Sequence, residues 1–323
     1  MKLLLRADAS PTIGAGHLSR VVAYAERAVA RGWDVCFAGR TDNAEWLASR
    51  LDELSVARRP VSPWESLASG FDAVLVDHYS AGDVRGEVNA AGALLVSIED
   101  DTFGRRPADV VVDSGLTPGP RPADGSGVLL RGVSYTALRD VVLRARARRS
   151  GRGFGAPPHV TVVLGGADWA ATVGLLLRAL ADTGLPFVAD AVVRGEPVVP
   201  ELSEGQVVRV AAPHPGLLDL LATTDVAVSA SGVTFLELCC LGVPTAALQL
   251  VANQAPGYRA ALDLGLAAGL GDAATLAERL PSVVSALLEL LTDAGLRSSL
   301  SGAAASTVDG LGADRVLDVL AAY

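Results

Sequence analysis

The chain has 323 residues, and its composition and charge exclude several classes of protein. Half of the residues are hydrophobic and 20% are charged, a balance that excludes a disordered chain and is sufficient for two domains with buried cores. The formal net charge of -9 argues against a nucleic-acid partner, which is usually bound by a basic face.

The cysteines and the apolar segments indicate where the protein works. Cys36, Cys239 and Cys240 form an odd set without metal-ligand spacing, which predicts reduced thiols in a cytoplasmic protein. Met1 leads directly into a strand-like segment, so we expect no signal peptide. The uncharged stretch from Leu238 to Tyr258 is interrupted by glycine and prolines, so we expect a soluble protein without a membrane span.

Strands and helices alternate along the first half of the chain. Strands are predicted at Lys2–Arg6, Asp34–Ala38, Ala73–Val76, Ala93–Ile98 and Val110–Val112, and helices at about His17–Arg31 and Ala44–Glu53. This alternation predicts an α/β domain with a mostly parallel, doubly wound sheet.

A second series of the same kind follows a change in composition at Ser150–Pro158. Glycines and two prolines there predict a hinge between a domain of residues 1–150 and a domain of residues 151–323. The next strands are predicted at His159–Leu164, Phe187–Val193, Val207–Val210, Val226–Ser229 and Thr245–Leu248, before a helical tail from about Asp272 to Tyr323. Two Rossmann-like halves predict a ligand cleft between them, at the carboxyl ends of both sheets.

The loop between the first strand and the first helix contains the first candidate site. Its notable residues are Arg6, Asp8, Gly14, Gly16 and His17. The two glycines permit a tight turn and leave room beside a ligand. His17 falls in the first helical turn, where the helix dipole disfavours an imidazolium, so it is a candidate proton acceptor. The alternative is a capping or packing histidine.

Three polar residues, Asp77, His78 and Tyr79, follow the third predicted strand. The carboxyl end of a buried strand is where α/β enzymes place their working groups, and we assign Asp77 to a catalytic set with His17. The alternative is that Asp77 caps a turn and His78 lies on the surface. Tyr79 is a candidate for binding a sugar hydroxyl or a phosphate.

The third candidate site is a strand, a Ser231-Gly232 turn and a helix at Val233–Leu241. Backbone N–H groups at such a helix start bind anions and suit a diphosphate. Glu237 lies about one turn further in and is hard to explain as core. Its carboxylate is suited to accept both hydroxyls of a ribose.

Two glycines after the first strand of the second half extend this site. Gly165 and Gly166 are expected to complete the floor of the phosphate site. Asp168, which follows them, is better explained as a helix N-cap than as a catalyst.

These residues together resemble a known family. The order RADxSxxIGxGHxxR, DHY, GxxYxxLR, GGxD, SASGxTxxEL and NQ is similar to the nucleotide-sugar hydrolases of pseudaminic acid biosynthesis, which remove UDP from UDP-2,4-diacetamido-2,4,6-trideoxy-β-L-altropyranose. The resemblance extends from Met1 to about Gly265. It implies the GT-B fold, which the family shares with the glycosyltransferase that makes lipid II.

The resemblance also implies roles for individual residues. His17 matches the catalytic histidine of the family, and Tyr79 matches its active-site tyrosine. The residues that match its uridine-diphosphate site are Ser231, Gly232, Val233 and Glu237, with Asn253 and Gln254 nearby for phosphate or sugar, and Tyr135 lies in a stretch implied to close the cleft.

The chain departs from the family pattern at two places. It has Asp113-Ser114-Gly115 where the family usually carries asparagines that hold the sugar. The run Glu99-Asp100-Asp101 is displaced by about one residue from the acidic pair of the family. Both departures leave the identity of the sugar undetermined, and they affect the prediction of the nucleotide less.

The sequence therefore supports one main hypothesis and two alternatives. The main hypothesis is hydrolysis of a UDP-activated amino or deoxy sugar, in which His17 deprotonates water, Tyr79 assists, and the helix start stabilises the leaving UDP so that neither a metal nor another cofactor is required. The first alternative is a GT-B glycosyltransferase that uses the same nucleotide site and an organic acceptor. The second is a nucleotide-sugar-binding protein without activity, against which His17 and Tyr79 count. A monomer is compatible with each.

Overall fold

A computed structural model describes residues 1–10, 12–42, 44–149 and 153–323, which form two units with one parallel sheet each. The first unit contains Met1–Asp140 and Gly310–Tyr323, and the second contains Val141–Asp309. Part of the predicted hinge, Ser150 to Arg152, lies outside the described residues.

The strands and helices follow one another through both units. The strands are β1 Lys2–Ala7, β2 Asp34–Ala38, β3 Ala57–Arg59, β4 Ala73–Asp77, β5 Leu94–Glu99, β6 Val110–Asp113, β7 Val128–Arg131, β8 His159–Asp168, β9 Phe187–Arg194, β10 Gln206–Ala211, β11 Val226–Ala230, β12 Thr245–Gln249 and β13 Ala268–Asp272. The helices are α1 Gly16–Ala30, α2 Glu45–Glu53, α3 Trp64–Ala68, α4 Arg85–Ala90, α5 Asp140–Arg149, α6 Ala170–Ala181, α7 Leu217–Thr223, α8 Val233–Leu241, α9 Ala255–Asp263, α10 Leu280–Thr292, α11 Ala294–Thr307 and α12 Gly312–Ala321.

The sheet of the first unit has the strand order β3-β2-β1-β4-β5-β6-β7, with parallel pairing throughout. Both of its faces are covered, as the continuous aliphatic runs predict. Within β1, Leu3 and Leu5 pack into one apolar cluster, whereas Leu4 packs into another, because successive side chains of a strand point to opposite faces.

The sheet of the second unit has the order β10-β9-β8-β11-β12-β13 and is also parallel. Here β8 extends beyond its predicted end at Leu164 and includes Gly165 and Gly166. Its pairing with β9 is irregular between Val163 and Asp168. The two glycines therefore lie in a distorted strand end rather than in a loop.

The C-terminal helix α12 belongs to the first unit. Its apolar residues Val316, Leu317 and Leu320 join the same buried cluster as α1. A Cβ on Gly312 would lie 2.2 Å from the carbonyl carbon of Tyr135, so the close approach of the backbones there requires glycine. The units thus differ from the predicted ranges 1–150 and 151–323, because burial of this apolar face returns the chain to its first half.

The helices also bear on the expected absence of a membrane span. Within the part of the chain that the structure describes, no helix is both long and apolar enough to cross a membrane.

Candidate active site

Polar side chains collect at the carboxyl edge of the first sheet, where β1, β4 and β5 lie side by side. The chain leaves these strands at Asp8, Asp77 and Asp100, and the first turn of α1 adds His17. Parallel strands end at one edge of a sheet, which explains why residues far apart in the sequence meet here.

His17 and Asp77 form a hydrogen-bonded pair. His17 Nδ1 lies 2.6 Å from Asp77 Oδ1, and the Asp77 side chain is fully buried. Burial alone would raise the pKa of Asp77, but Arg20 and His17 hold it well below its usual value, so Asp77 is ionised at neutral pH. An ionised carboxylate requires the proton on Nδ1, which leaves Nε2 as the proton acceptor of the ring. The structure thus brings Asp77 and His17 together, and their joint catalytic role stays a prediction.

Arg20 binds two carboxylates at once and lies one helical turn after His17. Its Nε donates to Asp77 Oδ2 at 2.7 Å, and its Nη1 donates to Asp100 Oδ1 at 2.7 Å. Its Nη2 donates to both carboxylates, at 2.8 and 2.9 Å. Burial would lower the pKa of Arg20, but Asp100 and Asp77 raise it well above its usual value. The guanidinium is thus a permanent charge that links Asp77 to Asp100.

Tyr79 completes this group through both ends of its side chain. Its hydroxyl donates a short hydrogen bond to Asp100. Its ring meets the His17 ring edge-on, with centroids 4.5 Å apart and planes at 88°. Burial and the Asp100 carboxylate raise the pKa of Tyr79 well above its usual value, so the phenol stays neutral and does not act as a base near pH 7.

Arg6, Asp8 and His78 form a second group. Arg6 binds Asp8 through two hydrogen bonds of 2.6 and 3.1 Å, and His78 Nε2 lies 3.1 Å from Asp8 Oδ2. Burial would raise the pKa of Asp8, but Arg6 and the Arg40 amide lower it to about 2. Burial and Arg6 lower the pKa of His78, so this ring is neutral and donates to Asp8. These residues hold one another in place.

The glycines of the first loop have local structural reasons. Gly14 has φ +78°, in the left-handed region that favours glycine. Its N–H donates to the Ser10 carbonyl at 2.8 Å. Gly16 is the first residue of α1. The turn at Gly14 thus places His17 in the first turn of α1, as its second residue.

Tyr135 lies apart from this group, in a one-turn 3-10 helix at Val133–Tyr135 that follows β7. The edge strand β7 is separated from β4 by β5 and β6. The Tyr135 side chain packs against the apolar cluster that includes α12. The structure thus gives this stretch a role in binding the C-terminal helix.

The acidic residues at the two departures from the family pattern are paired with arginines. Glu99 and Asp113 are fully buried, with Arg121 Nε 2.9 Å from Glu99 and Arg131 Nη2 3.0 Å from Asp113. Burial raises the pKa of Glu99. Asp113 is therefore enclosed in an ion pair, whereas 32% of the Asp100 side chain is accessible.

In the second unit, β11 leads through Ser231-Gly232 into α8, as predicted. The Ser231 N–H already donates to the Leu248 carbonyl at 3.1 Å, and the Gly232 N–H donates to Ala230 at 2.9 Å. Both amides are therefore engaged by the neighbouring backbone, and the nucleotide-binding roles of Ser231 and Gly232 stay predictions. The first turn of α8 itself, at Val233 and Thr234, supplies the amides without intrahelical partners.

Gln254 lies beside the start of α8. Its Oε1 accepts from the Leu250 amide at 2.9 Å, and its Nε2 lies 3.6 Å from where a Cβ on Gly232 would stand. This side chain therefore places an amide donor next to the helix start. Asn253 is exposed on the one-turn helix Ala252–Gln254. Glu237, one turn into α8, is only 3% exposed.

The distorted end of β8 provides the other predicted residues. The Gly166 carbonyl accepts from Arg194 Nε at 2.6 Å, and Gly165 has φ +113°. Asp168 Oδ1 accepts from the Ala170 amide at 3.1 Å, but the N-cap residue of α6 is Trp169, so Asp168 lies one residue before the predicted cap position.

The sequence did not indicate a cavity of about 320 Å³ at the carboxyl ends of β9 and β10. It is lined by Val193, Arg194, Gly195, Val210, Ala211, Ala212 and Pro213. Backbone and aliphatic groups dominate this lining, which suits a flat heterocycle. Sequence reasoning quoted Arg20 and Asp100 but gave them no role, although the spacing of three residues from His17 to Arg20 places both on one helix face.

Comparisons with known proteins identify the fold. No protein-family profile and no curated protein matches the chain. Solved structures do: MurG of Acinetobacter baumannii is similar at a TM-score of 0.71, with 15% identity and 100% of both chains covered. The spinosyn forosaminyltransferase SpnP is similar at a TM-score of 0.64, with 18% identity over 99% of each chain. The chain has the GT-B fold.

A third neighbour extends the range of activities on this fold. The UDP-GlcNAc 2-epimerase from Neisseria meningitidis, bound to UDP-GlcNAc, is similar at a TM-score of 0.62, with 12% identity over 100% of both chains. The predicted fold class, two Rossmann-like GT-B units with parallel sheets, is confirmed.

Proposed function

We propose that this protein is a GT-B glycosyltransferase that moves a sugar from a nucleotide donor to a hydroxyl of a small-molecule acceptor. The observation that carries this proposal is the pair His17–Asp77, in which a buried, ionised carboxylate fixes the Nδ1–H tautomer and leaves Nε2 as a base. The presence of glycosyltransferases among the neighbours of the same fold supports it.

The reaction proceeds as a single displacement. His17 Nε2 removes the proton of the acceptor hydroxyl as its oxygen attacks the anomeric carbon of the sugar. The bond from that carbon to the diphosphate oxygen breaks, and its electron pair leaves with the nucleoside diphosphate. Asp77 stabilises the imidazolium that forms, because its negative charge lies 2.6 Å from Nδ1.

The second unit binds the nucleotide in this proposal. The Val233 and Thr234 amides and Gln254 Nε2 hold the diphosphate, and Glu237 accepts the ribose hydroxyls. The cavity at the ends of β9 and β10 accepts the base. The strands β9 and β10 that line this cavity lie two and three strands from β11, which leads into α8. At the usual strand spacing this is about 10–14 Å, which matches the reach of a nucleoside diphosphate. The helix start stabilises the leaving charge, so the proposal requires no metal ion.

Hydrolysis is the second candidate, and the sequence signature around His17 and Asp77–Tyr79 favours it. Water takes the place of the acceptor hydroxyl, and the same base deprotonates it. In either case the donor is a nucleotide-activated sugar, with UDP-linked amino or deoxy sugars as the first choice.

The test is nucleotide release from a panel of nucleotide sugars, followed by ³¹P NMR with and without hydroxylated acceptors. We expect the wild-type protein to release nucleoside diphosphate faster with an acceptor, and to form a glycoside. Equal release without acceptor, with free sugar as product, would establish hydrolysis instead. Turnover of no donor would refute both candidates.

The His17→Ala variant tests the base directly, and His159→Gln is its matched control. His159 is a partly buried histidine paired with Asp190, at the amino end of β8 and therefore at the opposite edge of its sheet. We expect His17→Ala to lose about 10²–10⁴-fold in turnover and His159→Gln to keep it. Near-wild-type turnover in His17→Ala would refute the assignment of the base.

A further inference from the structure

A tight turn after β5 exposes an aromatic side chain beside the proposed base. Asp100 and Phe103 exchange backbone hydrogen bonds of 3.0 Å in both directions. The Phe103 ring lies against Tyr79, with centroids 5.7 Å apart, yet 42% of Phe103 remains exposed. A large apolar side chain that is held in place and still exposed is a common feature of binding surfaces.

The chain accepts backbone strain to form this turn. Asp101 has φ +55°, in the left-handed region that costs energy for a residue with a side chain. Gly104 has φ +72°, and a Cβ there would lie 3.1 Å from Tyr79 Cδ1. The turn thus packs closely around Tyr79, and this packing holds the Phe103 ring at the surface.

The aromatic surface is continuous with the base. Tyr79 contacts both rings, with the His17 centroid at 4.5 Å and the Phe103 centroid at 5.7 Å. A molecule whose hydroxyl reaches His17 therefore meets the Tyr79 ring first and the Phe103 ring beyond it.

Most of the hydrogen-bond donors on the polar side chains around His17 are already bonded to other side chains of this group. Arg20 donates to Asp77 and Asp100, and the Tyr79 hydroxyl also donates to Asp100. His78 bonds Asp8 through Nε2 and accepts the Ser80 amide through Nδ1. A sugar acceptor has many hydroxyls, and each would need a hydrogen-bonding partner in the protein to replace the water that it loses on binding. An apolar ring needs only an apolar surface to pack against.

We propose that Tyr79 and Phe103 bind an apolar ring of the acceptor, so that the acceptor is a flat hydrophobic alcohol or phenol rather than a sugar. This inference rests on the proposed function, because it assumes that the molecule next to His17 is the acceptor.

The test compares two probes, umbelliferone as a flat phenol and methyl glucoside as a sugar, by saturation-transfer NMR. We expect the wild-type protein to bind umbelliferone more tightly than methyl glucoside. Phe103→Ala should weaken umbelliferone binding about three- to tenfold, whereas Phe103→Trp should retain it. Leu129→Ala removes a similarly exposed side chain, 47% accessible, from β7 and should bind umbelliferone as the wild type does.

Two parallel measurements separate the possible failures. UDP binding by calorimetry, which reports the second unit, should be the same in all variants, and thermal unfolding followed by circular dichroism shows whether the altered first unit is folded. Donor turnover with no saturable umbelliferone binding, with tighter binding of methyl glucoside, or with unchanged binding in Phe103→Ala would overturn the inference and leave the proposed function standing. Binding that depends on Phe103 without turnover of any nucleotide sugar would overturn the proposed function instead.

Discussion

Replacing Asp77 with asparagine tests the central pair of the proposed mechanism. In the protein, Asp77 accepts one hydrogen bond from His17 Nδ1 and two from Arg20. An asparagine has one oxygen acceptor and an amide donor, and Arg20 takes the oxygen because it can only donate. The amide then donates to His17 Nδ1, which moves the ring proton to Nε2. Asp77→Asn therefore keeps the shape of the site and removes the base.

The expected loss in turnover is about 10²–10⁴-fold, the usual contribution of a positioned base, or about 3–6 kcal/mol in activation free energy. The variant also leaves the buried charge of Arg20 with one carboxylate, Asp100. We expect a stability loss of about 3 kcal/mol, at the lower end for a broken buried ion pair, because four of the donor contacts of Arg20 can persist.

Turnover is measured with the best donor from the nucleotide-sugar panel, and the ring tautomer by ¹⁵N NMR of His17. Asp109→Asn is the matched control, since Asp109 is also a mostly buried aspartate bonded to an arginine, with Arg85 Nη2 at 2.7 Å, but precedes β6 at the opposite edge. It should lose stability and keep activity. The reasoning fails if a folded Asp77→Asn protein keeps more than about a tenth of wild-type turnover, or if both variants lose activity equally.

Three further predictions follow from the same contacts. Arg20→Lys should lower turnover by on the order of a hundredfold without changing UDP affinity, because an ammonium cannot hold both carboxylates; steady-state kinetics and calorimetry check this. Asp8, whose pKa is lowered from 3.8 to about 2, should stabilise the fold above about pH 4, and this contribution should disappear as the pH falls towards 2; urea unfolding of wild type and Asp8→Asn across that window should converge. Chelation with EDTA should leave turnover unchanged, because the α8 helix start stabilises the leaving diphosphate. A loss of turnover in EDTA that Mg²⁺ restores would contradict this role of the helix start.

Much of the fold follows from apolar runs, and two of the missed strands lack them. The strands around Leu3–Leu5 and Val226–Val228 are continuous aliphatic segments, and their predicted bounds agree with the structure to within a residue or two. In contrast, β3 consists of Ala57, Arg58 and Arg59, and β13 contains two glycines. These short strands form through pairing with a neighbour that is already in place, which local propensity does not record.

The sequence predicted those parts of the candidate site whose residues lie together in one loop or at the end of one strand. His17 and Asp77–Tyr79 stood out because polar groups follow buried strands. The interactions of Arg20 with Asp77 and Asp100 connect residues 57 and 80 positions apart, so they depend on the order of β1, β4 and β5 in the sheet. For the same reason the use of the Ser231 amide by Leu248 was hidden, since it depends on β12 lying next to β11.

The contacts explain why the sequence signature indicates a catalytic base, but does not indicate whether that base activates water or an acceptor hydroxyl. In the first two motifs of the resemblance to the hydrolases, the charged and aromatic residues are Arg6, Asp8, His17, Arg20, Asp77, His78 and Tyr79. All of them pair with other members of the set or with Asp100, so the signature describes the frame that fixes the His17 tautomer. Water and an acceptor hydroxyl place the same demand on that tautomer. The signature alone therefore fits both reactions, and the proposed contact of the acceptor with Phe103, which lies outside the signature, is the point at which transfer and hydrolysis differ.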